Sequence, residues 1–144
     1  MAADETEAYA IATWVRFDED VTDVLLRALS GAFALVAASD GQLSRSEVDG
    51  FIDMLRGKTD VFGGLDFEAL ENTFGDLADA LIANPEDGRQ RAFDCIARVA
   101  GDPVRSELVR SAAAIAVAAD GRVRATEDTT LQEISAALGL PHAG

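Results

Sequence analysis

Two segments of this chain, eighty residues apart, share one pattern of apolar and charged residues. Residues 35–55 and residues 115–135 each contain an alanine-rich stretch, then the motif Asp-Gly-x-[Leu/Val]-x-x-x-Glu, then an amphipathic stretch. Solenoid units repeat at about 20–50 residues, which is shorter than this offset. We therefore interpret the pattern as duplication of a half-domain. The two halves, about 18–82 and 86–140, are expected to pack about an approximate two-fold axis.

Apolar residues recur at three- and four-residue spacing through most of the chain, which is typical of helices buried along one face. The spacing predicts seven helices, the first over residues 4–14. The other six are expected to begin near residues 18, 44, 66, 86, 103 and 125. Their buried stripes are predicted to include Val24, Ile82 and Val104. Because no stretch alternates with period two, we expect an all-α fold: one compact bundle over residues 1–144.

Local signals mark several of the predicted helix ends. The acidic run at 18–20 is expected to open the second helix, where the macrodipole favours negative charge. The segment Ser44–Glu47 has the pattern of a capping box, and Asp66 is a preferred N-cap residue. Asn84-Pro85 is expected to end one helix and begin the next. Gly139 is expected to close the last helix.

Charge limits the classes of partner. The chain has 26 acidic residues against 12 Lys and Arg, a net charge of −14. Nucleic-acid binding requires a basic surface, and anionic membranes repel an acidic one. Cations and basic protein surfaces are the favoured partners, especially for residues 1–80, which hold 17 acids and 5 bases. The alternative interpretation is that the acidity only maintains solubility.

Cysteine use and hydropathy indicate a cytoplasmic protein. A single cysteine, Cys95, forms no internal disulfide and fits a reducing compartment. The acidic N-terminal residues do not resemble a secretory signal, and no apolar stretch reaches the ~20 residues that span a bilayer. Cys95 is expected to be a small helix-packing residue. Trp14 and Phe17 are expected to pack in the core, although together they could form a docking edge. The only histidine, His142, gives no support for a zinc site or a catalytic triad.

The two repeated segments, LVAASDGQLSRSEVDGFIDML and IAVAADGRVRATEDTTLQEIS, resemble the signature segments of the TerB-like (tellurite resistance) family. The resemblance implies a helical fold and a role in bacterial tellurite-resistance and stress systems. It also implies partners within assemblies of resistance proteins, some of them at the membrane, and no enzymatic activity. The second copy departs from the pattern, since Arg124 stands where the first copy has Ser44.

The motif of the repeat also matches the second half of an EF-hand loop. A true EF-hand is excluded, because alanine and valine occupy the first and third loop positions. A differently completed site for Ca²⁺, Mg²⁺, Mn²⁺ or Zn²⁺ remains a hypothesis, and the TerB-like resemblance implies acidic metal sites. Its predicted ligands are Asp40, Glu47, Asp120 and Glu127, with Asp49, Asp53, Asp128 or Glu133 as further candidates.

The competing hypothesis is structural. Asp-Gly is a frequent helix stop, so Asp40-Gly41 and Asp120-Gly121 are expected to form turns that end helices; we call them the Asp-Gly turns. Glu47 is the reciprocal member of a cap. Since Arg124 cannot act as Ser44 does, a capping box cannot explain Glu127, although the helix dipole can. The sequence therefore leaves open a cation-binding stress protein and a metal-independent acidic adaptor. A third hypothesis is an enzyme that uses acidic residues and a bound metal.

Overall fold

The computed structural model describes residues 22–38, 43–57, 66–120 and 125–139, together with Ala12 and Trp14. At residues 118–120 and 125–128 the description covers the backbone alone. Asp40 and His142 lie outside these ranges. The predicted helix over residues 4–14 also lies outside them, apart from Ala12 and Trp14, which are both helical.

The described residues form six helices and no strands, which confirms the predicted all-α fold. The helices are α1 (Asp23–Ala37), α2 (Arg45–Arg56), α3 (Phe67–Ala83), α4 (Pro85–Ala97), α5 (Pro103–Asp120) and α6 (Ala125–Ala137). They correspond to the second to seventh predicted helices. None of them is long and apolar enough to cross a membrane, as judged over the described part of the chain.

Short-range capping signals set most helix ends as predicted. The Asp66 carboxylate accepts a hydrogen bond from the Ala69 amide at 3.2 Å, and α3 begins at the next residue. Asn84 ends α3 and caps α4, whose first residue is Pro85. Gly139 follows α6 with a φ of +75°, the left-handed conformation that glycine adopts without strain.

The predicted start of α1 was wrong. The helix begins at Asp23, after the acidic run at 18–20, and its N-cap is Thr22. The Thr22 hydroxyl accepts a hydrogen bond from the Leu25 amide at 3.2 Å. A hydroxyl at this position satisfies a backbone donor that has no partner within the helix, whereas acidic residues favour a helix start only through the dipole.

Helix α1 is the centre of the bundle. Every residue from Ala28 to Ala37 is buried, so the helix is enclosed on all sides. It packs along α3, α4 and α5. Alanine is frequent in both α1 and α5, and small side chains allow these two central helices to lie close together.

Two glycines permit α4 to approach its neighbours closely. A Cβ atom at Gly31 of α1 would lie 2.6 Å from the Ala92 carbonyl oxygen of α4. A Cβ atom at Gly88 of α4 would lie 2.5 Å from the Leu81 backbone nitrogen of α3. Both distances are far inside van der Waals contact. Glycine at these positions therefore sets how tightly α4 packs between α1 and α3.

Three residues predicted to be buried are exposed: Val24 at 39%, Ile82 at 41% and Val104 at 52%. Each lies in the terminal turn of its helix. Periodicity identifies the apolar face of a helix, but it does not show where the neighbouring helix ends. The apolar face of the terminal helical turn consequently extends beyond the end of the helix that packs against it.

Trp14 is buried and is hydrogen-bonded to α5. Its side chain is 5% exposed, and its indole nitrogen donates a hydrogen bond to the Leu108 carbonyl oxygen at 3.1 Å. Indole N–H groups usually find such a partner when buried. The prediction that Trp14 packs in the core is confirmed, and the docking-edge alternative is wrong for Trp14. Phe17 lies outside the described residues.

Candidate cation site at the Asp-Gly turns

The two glutamates of the repeated motif occupy equivalent positions in their helices. Helices α2 and α6 begin at Arg45 and Ala125, eighty residues apart, so Glu47 and Glu127 are each the third helical residue. The preceding helices differ in length. Helix α1 ends at Ala37, whereas α5 continues to Asp120, three residues further in the register of the repeat. The structure therefore keeps the repeat at the starts of α2 and α6 but not at the ends of α1 and α5.

Glu47 completes the capping box that the sequence predicted. Its Oε1 atom accepts hydrogen bonds from the Ser44 amide and the Ser44 hydroxyl, both at 3.0 Å. In return, the Glu47 amide donates to the Ser44 hydroxyl oxygen at 3.3 Å. All of these contacts to the carboxylate use Oε1. The Oε2 atom therefore takes no part in the capping box. Glu47 can cap α2 and still offer Oε2 as a ligand to a cation.

The other predicted ligands are not tested by the structure. Asp40 lies outside the described residues, and so do the side chains of Asp120, Glu127 and Asp128. Among the described residues, no group of three or more His, Cys, Asp or Glu side chains is placed to hold a metal ion. The four-residue cation site at the Asp-Gly turns stays a prediction.

The further candidate ligands have separate surroundings. Asp49 and Asp53 are exposed on α2. Glu133 of α6 accepts a hydrogen bond at 2.6 Å from Arg89 of α4, whose guanidinium also lies 5.2 Å from the ring centre of Phe93. Glu133 therefore joins α4 to α6, and it is the one candidate in the described part of the chain that already has a cationic partner.

Arginines neutralise only part of the described acidic surface. Seven of them form ion pairs with carboxylates: Arg27, Arg45, Arg56, Arg89, Arg91, Arg105 and Arg110. Eight described carboxylates have no such partner: Glu47, Asp49, Asp53, Asp66, Glu68, Asp76, Glu86 and Asp94. The surface of α2 and α3 therefore keeps an excess of negative charge after internal pairing.

Three of these ion pairs join different helices and were missed by the sequence analysis. Arg45 and Arg56 of α2 pair with Asp79 and Glu71 of α3, and Arg89 pairs with Glu133. Pairs within one helix follow from three- or four-residue spacing. Pairs between helices depend on how the helices pack, and no local pattern in the sequence shows that.

Cys95 has the surroundings of a packing residue. It is half-buried on α4 and faces Gly31 of α1, where an added Cβ atom would lie 3.4 Å from the Cys95 Cβ atom. Burial raises the pKa of its thiol, and the positive charges of Arg27 and Arg98 only partly oppose that shift. A raised pKa lowers the fraction of thiolate, which is the nucleophilic form. The expected packing role is confirmed.

The described residues form an all-helical domain. Two of its helices, α2 and α6, begin eighty residues apart and each carries a glutamate as its third residue. A family model described as Tellurite resistance protein TerB matches residues 26–144, from the first turn of α1 onward. Both Asp-Gly turns lie within the match. The chain therefore belongs to the TerB family of tellurite resistance proteins. No curated protein and no solved structure matches the chain.

Proposed function

We propose that this TerB-family chain is a non-enzymatic, cytoplasmic protein of tellurite-resistance and stress systems that acts by binding. The observation that carries the proposal is the excess of unpaired carboxylates on the described surface, in a family match that includes both Asp-Gly turns. Unpaired surface carboxylates attract cations and basic partners, and they oppose the approach of nucleic acids and anionic membranes.

A divalent cation at the Asp-Gly turns is the finer part of this proposal. Hard cations prefer carboxylate and carbonyl oxygens. A cation shared by Asp40 and Glu47 would join the segment after α1 to the first turn of α2. Asp120 and Glu127 would do the same between α5 and α6. The Oε2 atom of Glu47, which takes no part in the capping box, supports this role.

The second candidate function is a metal-independent adaptor. The complete capping box favours it, because hydrogen bonding with Ser44 already gives Glu47 a structural role. In this case the acidic surface would bind a basic protein partner of a resistance assembly, and the Asp-Gly segments would only end helices. Capture of partners with and without a chelator separates the two functions, since an adaptor is indifferent to chelation.

Calorimetric titration of metal-stripped protein with Ca²⁺, Mg²⁺, Mn²⁺ and Zn²⁺ tests the cation proposal. We expect binding that is weakened in Asp40→Asn and in Asp120→Asn. The matched control is Asp76→Asn, which removes the same charge from an exposed site on α3 outside the turns. Equal binding by all three variants would contradict a site at the turns, and absence of binding at millimolar metal would leave the adaptor.

A further inference from the structure

Helix α2 is attached to the bundle by few groups. Three of its residues are buried on one face of the helix, Val48, Phe51 and Leu55. Two more, Ile52 and Met54, are partly buried against the core. It makes only light contact with α1, α3 and α5. Helix α4, which is of similar length, packs extensively on α1 and α3. We infer that α2 undocks from the bundle as one unit while the other helices stay packed.

The apolar attachment is centred on one side chain. The ring of Phe51 stacks on Phe74 of α3, with ring centres 5.5 Å apart and planes 18° apart. The Phe51 ring also contacts Phe33 of α1, with ring centres 6.0 Å apart and planes tilted by 56°. Phe33 and Phe74 are fully buried. Undocking of α2 would therefore uncover a strip formed by two aromatic rings.

The polar attachment consists of one ion pair near each end of α2. Arg45 pairs with Asp79, and Arg56 pairs with Glu71, so α2 and α3 run antiparallel. In the first pair both side chains are more than half exposed. In the second pair the arginine is more than half exposed. Exposed pairs contribute little to stability, so these two set the register of α2 on α3 without locking it there.

Local contacts within α2 allow the helix to leave the bundle before its own backbone hydrogen bonds break. Its N-terminus has the complete Ser44–Glu47 capping box, and its last turn carries Arg56, which the helix dipole favours there. These local contacts do not depend on docking. Opening therefore breaks the contacts of Phe51 and its neighbours first, and a helix of twelve residues then unfolds readily because such a length is marginal in water.

Native-state hydrogen exchange of the full chain, resolved by NMR, tests the inference. We expect the amides of residues 49–56 to share one opening free energy, with protection from exchange at least tenfold lower than that of residues 29–37 in α1. This inference is independent of whether the Asp-Gly turns bind a cation. It is overturned if α2 and α1 exchange with the same opening free energy, or if rates in α2 fall smoothly from its ends, as they do in simple fraying.

A variant pair gives a second readout that does not require the loss of core side chains. Arg45→Ala with Arg56→Ala removes both ion pairs to α3, and we expect exchange in α2 to become about two- to thirtyfold faster with α1 and α4 unchanged. The control is Arg91→Ala, which removes an exposed pair within α4 and should leave α2 unchanged. Equal acceleration in all three helices, or none in α2, would overturn the inference.

Discussion

Gly31 and Gly88 show how single residues set the spacing of this bundle. A Cβ atom at either position would lie less than 3 Å from the backbone of a neighbouring helix. Backbone atoms cannot move aside as a flexible side chain can, so the helices would have to separate. The sequence pattern does not show these contacts, because glycine within a predicted helix is more often only a cost in helix propensity.

We expect Gly88→Ala to lower the free energy of unfolding by about 1–3 kcal/mol, the usual cost of overpacking. The matched control is Gly75→Ala in α3, where an added Cβ atom meets nothing within 4 Å. Relief of the glycine penalty should make that variant up to about 1 kcal/mol more stable. Urea denaturation of both variants measures the difference, and equal stabilities would contradict the close approach of α3 and α4.

Asp102 makes stability depend on pH. Its carboxylate caps α5 by accepting hydrogen bonds from the amides of Val104 and Arg105, both at 3.1 Å. The bond from the Arg105 amide is the main cause that holds the Asp102 pKa below its ordinary value, and the Arg105 guanidinium assists. The folded state thus favours the charged form. The resulting stabilisation is complete above the unfolded pKa and is lost as pH falls through the folded pKa.

Asp102→Asn isolates this contribution, because asparagine caps helices well but does not titrate in this range. We expect the free energy of unfolding of wild type to exceed that of the variant near pH 6. The difference should shrink as the pH is lowered towards 3. Chemical denaturation at several pH values measures it. A difference that stays constant or grows on acidification would contradict the assigned pKa direction.

At the scale of helices, the accuracy of the sequence analysis depended on how local each signal is. Ser44, Asp66 and Asn84 satisfy amides three residues away, so their roles were predictable. The start of α1 was not, because two competing start signals lie within five residues and only Thr22 supplies the hydrogen bond. Exposure of Val104 was missed for a different reason, since it depends on where another helix ends.

Conservative substitution separates the capping role of Glu47 from any role of its carboxylate charge. Glutamine still accepts the capping hydrogen bonds, so Glu47→Gln should keep nearly all the stability of wild type. Ser44→Ala removes the reciprocal acceptor and should cost about 1 kcal/mol. Denaturation measured by circular dichroism checks both values. If Glu47→Gln is as destabilised as Ser44→Ala, the carboxylate charge has a role in the free protein that capping does not explain.

At the scale of the whole molecule, the fold class, the family and the acidic character were predictable from the sequence, but only part of the candidate site was. Hydrophobic periodicity and the Asp-Gly repeat extend over long segments, so a wrong interpretation of one residue does not change the predicted fold class. A ligand set depends on whether side chains from different turns converge. Of the four predicted ligands, only the Glu47 side chain lies within the described residues, and it is engaged in a cap.

Thermal unfolding of metal-stripped protein against added divalent cations tests the proposed binding function most directly. Binding to the native state alone adds about 2.7 kcal/mol at a hundredfold excess over Kd, a shift of several degrees for a chain of this size. The account predicts such a rise in wild type and its loss in Asp40→Ala and Asp120→Ala. A flat response in wild type, or an equal rise in all three proteins, would contradict a cation site at the Asp-Gly turns.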